Sequence, residues 1–224
     1  MKSLLVKSLR ITKKEFLVEL RTRYALTSGG LFVLTTLSVI VFSTTNDVIT
    51  SGIFSGFLWI VMFFTTMTLT GKIFIEEEEK GTSLYLRSIA EPNAIFVGKL
   101  YYAIITSVVV NSIAALLLPV FVTEVTIQNI TQYLMVVLLG SIALAAVTTI
   151  LSSIISKANS KNGMLPILGF PILLPIVVVG VEATYFSIHS VDWNTMVNSL
   201  LFMGAYSGVI IVVSLWVFPI IWLE

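Results

Sequence analysis

Four consecutive glutamates, Glu76, Glu77, Glu78 and Glu79, lead into Lys80-Gly81-Thr82-Ser83-Leu84-Tyr85-Leu86-Arg87, the densest run of titratable side chains in this 224-residue chain. These residue types and their order suit a docking surface. Gly81 can break a descending helix, and Thr82 or Ser83 can cap a short new one. Leu84, Tyr85 and Leu86 would then offer an apolar knob to a partner's cleft, with Pro92 ending the element. A solvated acidic loop is the plainer explanation of the glutamates alone. Elsewhere the residues that do chemistry are sparse. There is no cysteine and one histidine, His189, so thiolate metal sites, disulfides and thiol redox chemistry are excluded for this chain. Gly71-Lys72 and Gly98-Lys99 lack both the preceding glycine and the following Ser or Thr of a phosphate-cradling loop. With no nucleotide motif and no room for a catalytic domain, the chain reads as a non-enzyme whose free energy comes from another subunit.

The elements that must position this segment follow from composition. The chain is 57% hydrophobic and 11% charged, with mean hydropathy +1.01, against about 25% charged residues in globular domains. Its thirteen Lys and Arg fall in three patches, Lys2 to Arg23, Lys72 to Lys99, and Lys157 with Lys161. Between them lie runs of about 20 apolar residues, enough to cross roughly 30 Å of hydrocarbon. Six spans are predicted, at Tyr24–Ser43, Gly52–Ile75, Lys99–Val122, Tyr133–Ser156, Met164–Val181 and Met196–Leu223. The segments 44–51, 123–132 and 182–195 contain no Lys or Arg and hold Asp47, Glu124, Glu182, Asp192 and His189. Because cytoplasmic loops retain Lys and Arg, these segments face outside and both termini face the cytoplasm.

The predicted fold class is therefore an all-α membrane protein with a six-span domain at 24–224 and a cytoplasmic loop at 76–93. An N-terminal amphipathic helix over 1–23 precedes it. Leu5, Leu9, Phe16 and Leu20 share one face of that helix, and Lys7, Arg10, Lys14 and Arg21 occupy the others. Such a helix lies in the interface with its cations toward anionic lipid; a solvated basic tail is the alternative. Trp193 at the outer boundary, and Tyr101, Tyr102 and Trp222 at the inner one, are placed as interfacial rings. Pro166, Pro171 and Pro175 fall within ten residues of the fifth span, so that span is expected to be kinked or broken, either as a moving, cavity-lining element or as a static bend. Gly52/Gly56 and Gly204/Gly208 have the spacing of close helix approach, within the chain or between copies. Inside the spans the only charges are Lys72 and Lys99, expected to snorkel from the inner ends. The absence of other intramembrane ionisable groups argues against an ion-coupled carrier. Asn111 is placed to make an interhelical hydrogen bond.

The segment Glu79-Lys80-Gly81-Thr82-Ser83-Leu84-Tyr85-Leu86, followed by Pro92 and Lys99, resembles the E-x-G-[ST]-L-x-x-L…P…K stretch of type-2 ABC exporter permeases. More narrowly, the whole chain resembles the CcmB family, the membrane subunits of the haem-handling ABC transporter of cytochrome c maturation. The likeness covers length, span number and the basic entry helix with Glu19-Leu20-Arg21-Thr22-Arg23-Tyr24. It also covers the run Leu165-Pro166-Ile167-Leu168-Gly169-Phe170-Pro171-Ile172-Leu173-Leu174-Pro175, similar to that family's L-P-x-x-x-P pattern. One departure is visible: many relatives have Leu-Glu after the Gly-Ser/Thr pair, where this chain has Ser83 and Leu84.

The resemblance implies an inner-membrane permease working with a separate ATP-binding subunit of the CcmA type, which would carry ATP and Mg, with two copies of each. Membrane proteins of the CcmC and CcmD type and a CcmE-type haem chaperone complete the implied system, and no nucleic acid partner is expected. Haem is the implied cargo, either exported directly or released on its chaperone. His189 is then a candidate haem ligand, although no neighbouring His or Met supports it and an exposed histidine is the default. Two alternatives stay open: a type-2 permease exporting a lipid, glycan or drug, and a non-transporting scaffold for membrane assembly.

Overall fold

A computed structural model describes residues 2–43, 49–158, 164–189 and 191–223; Asp47 and Lys161 lie outside them. Among the described residues the elements are α1 (Lys2–Thr22), α2 (Tyr24–Ser43), α3 (Ser51–Thr70), α4 (Ile75–Glu79), α5 (Ser83–Ile89), α6 (Pro92–Phe121), α7 (Ile130–Ser156), α8 (Met164–His189) and α9 (Trp193–Leu223). Six segments are long and apolar enough to span a membrane: α2, α3 with α4, α6, α7, α8 and α9. The all-helical outcome is the one a bilayer enforces, because hydrocarbon offers no hydrogen bonds to an unpaired backbone.

Local chemistry sets the helix ends. Arg23 adopts φ 55 between α1 and α2, and the Glu19 carboxylate accepts the Leu26 N–H at 2.8 Å, satisfying one of the free donors of the new helix. Asn129 accepts from the Gln132 N–H at 3.2 Å to cap α7. Pro92 occupies the first turn of α6, where a missing N–H costs nothing. It opens α6, correcting the expectation that it closes the preceding element. Gly81, at φ +66, supplies the turn between α4 and α5.

α3, α6, α8 and α9 pack around α7, and α2 packs against α3 and α6. A polar seam of small side chains holds the centre. Asn111 of α6 donates to Thr66 Oγ1 of α3 at 2.9 Å and to Ser141 Oγ of α7 at 3.2 Å, the interhelical role expected of it. Thr70 and Thr148 meet at 2.6 Å. Trp59 of α3 lies between α7 and α8 and donates its indole N–H to Thr184 at 3.0 Å. A Cβ on Gly180 would fall 1.8 Å from the Trp59 ring, and one on Gly140 would fall 2.6 Å from it. These glycines, with Gly29, Gly71, Gly98 and Gly169, mark close approaches. Gly52, Gly56, Gly204 and Gly208 do not, since a Cβ at any of them meets nothing within 4 Å among the described residues. No close helix approach among those residues uses either pair.

The proline-rich span is bent at most. α8 is continuous, with Pro166 in its first turn and Pro171 and Pro175 inside it. The Tyr206 hydroxyl of α9 donates to the carbonyl of Ile172, between those two prolines, so a neighbouring helix supplies hydrogen bonding where the prolines disturb the ladder. α8 also runs past Val181 to His189, which places Glu182 and His189 on helix.

A candidate coupling site at the basic end of the bundle

Element order brings the start of α2, the ends of α3 and α7, and the starts of α6 and α8 to one end of the bundle, together with α1, α4, α5 and the end of α9. The described Lys and Arg belong to this end, while Glu124, Glu182, His189 and Asp192 belong to the other.

The acidic run does not act as one surface. Glu77 is buried at 6% exposure. Its carboxylate accepts from Lys99 at 3.2 Å and makes close contacts with Lys14 and with the Thr82 hydroxyl. Glu78 pairs with Lys157 at 3.4 Å, and Glu76 with Lys80 at 2.7 Å one turn along the chain. Glu79 is exposed. A helical repeat carries successive residues round the axis, so four adjacent glutamates cannot face one way.

Lys99 is the centre of this end. It is fully buried, which overturns its expected snorkelling; Lys72 is exposed, its ammonium 5.6 Å from the Tyr24 ring. The Lys99 ammonium donates to Glu15 at 2.9 Å, to the carbonyl of Ile73 at 2.8 Å and to Glu77 at 3.2 Å. All three of its N–H groups are thus engaged. The Phe74 ring lies 5.2 Å away. A buried charge persists only when paired and hydrogen-bonded, and here one ammonium ties α1, α4 and α6 together.

Lys14 also bonds Glu15, at 3.2 Å. Burial pulls the Lys14 pKa down, but Glu15 and Glu77 outweigh it and hold the pKa above the ordinary lysine value. Lys7 reaches Glu91 at 3.5 Å. Two of the four cations assigned to lipid on α1 therefore face acids of the protein. The face of α1 that meets α6 is formed by Ser8, Ile11 and Thr12. Thr12 Oγ1 donates to the Gly98 carbonyl at 2.8 Å, and a Cβ on Gly98 would meet Ile11 at 2.8 Å. Leu5, Leu9 and Leu20 stay exposed.

The second half of the docking segment splits in the same way. On α5, Leu84 and Tyr85 are 72% and 67% exposed, with Ile89 beside them at 51%, whereas Leu86 is buried at 5%. The expected knob of Leu84, Tyr85 and Leu86 is thus corrected: Ile89, not Leu86, stands exposed beside Leu84 and Tyr85. Leu86 joins Ile11, Phe74, Ile95 and Phe96 in an apolar cluster. Thr82 stands at the start of α5 but caps nothing with its side chain, because its hydroxyl is spent on Glu77. Arg87 lies over the Trp222 ring at 5.3 Å. Trp222, 1% exposed and packed on Phe74 and Phe218, is core and not an interfacial ring, and Tyr102 is buried too.

His189 lies at the opposite end, exposed, its ring 4.4 Å from Tyr185. No group of three or more His, Cys, Asp or Glu positioned to hold a metal occurs among the described residues. Sequence reasoning missed Glu15, Glu19 and the internal role of Lys99. The signal was present as spacing: Ser8, Thr12, Glu15 and Glu19 recur every three or four residues, a polar stripe that a search for apolar faces passes over.

Six helices long and apolar enough to span a membrane, a basic entry helix and a short helix between the second and third spans define a polytopic membrane protein with a packed, ion-paired basic end. A family model for CcmB protein matches residues 6–220, and the chain belongs to that family, the membrane subunits of cytochrome c maturation ABC transporters. A search of curated proteins finds no match.

Proposed function

We propose that this chain is the permease through which a separate CcmA-type ATPase drives the haem-handling step of cytochrome c maturation, and that α5 is the element the ATPase grips. The observation that carries this reading is the outward presentation of Leu84 and Tyr85 on a helix whose other face is anchored by the buried Leu86. A push on α5 has three routes inward. Thr82 and Glu77 lead through Lys99 to α1 and α6. Glu78 leads through Lys157 to α7. Leu86 and Arg87 lead through the Phe74 and Trp222 cluster to α9. A packed, ion-paired end of this kind moves as a unit, which suits transmission of force better than a solvated loop does.

In this reading the basic end faces the cytoplasm of a cell inner membrane, both termini lie there, and ATP and Mg stay on the partner. Two copies of each subunit form the complex, with CcmC-, CcmD- and CcmE-type proteins as further partners. Haem, or the haem-loaded chaperone, is the cargo, and His189 at the far end stands where a haem outside would meet it.

The test is a pair of variants in the assembled complex. Leu84→Asp with Tyr85→Asp should abolish co-purification of the ATPase while the permease remains folded and inserted. ATPase capture and ATP turnover equal to wild type would end the assignment. Retained capture with no effect of the permease or chaperone on ATP turnover would favour the scaffold reading.

A further inference from the structure

A cavity of about 630 Å³ lies at the basic end between α1, the start of α2, the end of α3 and α4. A smaller one of about 200 Å³ shares Glu15, Val18, Ile73, Glu76 and Lys80 with it and leads on to Glu77 and Thr82. It sits at the ends of two spans, where a bilayer would place its headgroups: Tyr24 is the first residue of α2, and Thr68 and Leu69 lie in the last turn of α3.

The charges of the wall can be sorted by what already occupies them. Glu15 is held by Lys99 and Lys14, and Glu76 by Lys80. Glu19 caps Leu26 and meets the Tyr102 hydroxyl at 3.5 Å. Two groups remain outside any ion pair among the described residues, Lys72, whose ammonium lies 5.6 Å from the Tyr24 ring, and Glu79; both are exposed. They are opposite in sign and yet do not bridge to each other. The uncharged part of the wall is mixed: Val18, Ala25, Leu69 and Ile73 are apolar, and Thr22, Thr68 and the two tyrosines, Tyr24 and Tyr102, add hydroxyls. A ligand complementary to this wall carries one anion and one hydrogen-bonding cation close together, attached to an apolar body.

We propose that this crevice binds the headgroup of a zwitterionic aminophospholipid, with its phosphate on Lys72, its ammonium on Glu79 and its glycerol and upper acyl carbons against Val18, Ala25 and Leu69. A primary ammonium donates charge-assisted hydrogen bonds to a carboxylate, which a quaternary choline cannot do. An anionic headgroup without an amine would meet the carboxylates of the wall unpaired. The site does not depend on the coupling assignment, although both α1 and α4 line it.

The experiment uses the full-length protein, delipidated in detergent and titrated with phosphatidylethanolamine, phosphatidylcholine, phosphatidylglycerol and soluble glycerophosphoethanolamine. Native mass spectrometry counts the bound copies. One phosphatidylethanolamine should bind about fivefold or more tightly than the other two lipids, as expected for one charge-assisted hydrogen bond. Glu79→Gln should erase that preference, Lys72→Ala should weaken binding of all three lipids alike because each carries the phosphate, and Lys7→Ala, which removes an exposed pair elsewhere, should change neither. Equal binding of the three lipids by the wild-type protein would overturn the proposal, as would a preference untouched by Glu79→Gln or an affinity untouched by Lys72→Ala. Soluble headgroup binding as tight as the lipid's would replace the lipid with a free zwitterion and also overturn it.

Discussion

Lys99 is the residue on which most else at the basic end depends. Removing one partner of a buried ion cluster leaves the others charged and dry, at a cost of about 3–5 kcal/mol. Lys99→Met should therefore lower the thermal unfolding midpoint sharply in detergent. Adding Glu77→Gln to it should recover part of the loss, because fewer unpaired carboxylates stay buried. Strict additivity of the two variants would show that the pair does not interact. Gly180 offers a second test at this scale. With a Cβ placed 1.8 Å from Trp59, Gly180→Ala must displace the indole from Thr184. It should cost about 1–3 kcal/mol of stability, as overpacking does. Gly204→Ala, facing open space, should leave the isolated chain unchanged.

At the scale of the element, α5 shows how a short helix is divided between two tasks. Leu86→Asp buries a charge beside Phe74 and Phe96 and should destabilise the fold by several kcal/mol, visible as loss of folded protein on size-exclusion chromatography. Leu84→Asp alters an exposed position and should stay within about 0.5 kcal/mol of wild type. The two leucines, two residues apart, should thus separate folding from docking. For the same reason, reversing all four glutamates would be uninformative, since Glu77 and Glu78 hold the structure itself.

The whole molecule is organised by the separation of charge between its ends. The chain contains no cysteine, so single substitutions give clean topology labels. Ser88→Cys on α5 should react with an impermeant maleimide only after the membrane is opened, and Thr195→Cys on α9 should react from outside in intact cells. The reverse pattern would invert the topology and remove the basis for ATPase docking. Span number and fold class were legible in the sequence, as were the break at Gly81 and the role of Asn111. Each depends on residues within one turn or one span. The assignments that failed were of another kind: the snorkelling of Lys99, the interfacial Trp222 and the outward Leu86. All three concern which way a residue faces once helices have neighbours.

What the sequence determined by itself is a chain that must enter a membrane six times with its cations at one end, because transfer into hydrocarbon is settled by the composition of each local segment. Only the tertiary structure decided that Glu15, Glu77 and Lys99 meet, and that an acidic run is half foundation and half surface. Those contacts join positions 84 and 22 residues apart. They arise from how α1, α4 and α6 cross, and a buried charge then selects the one arrangement in which its hydrogen bonds are complete.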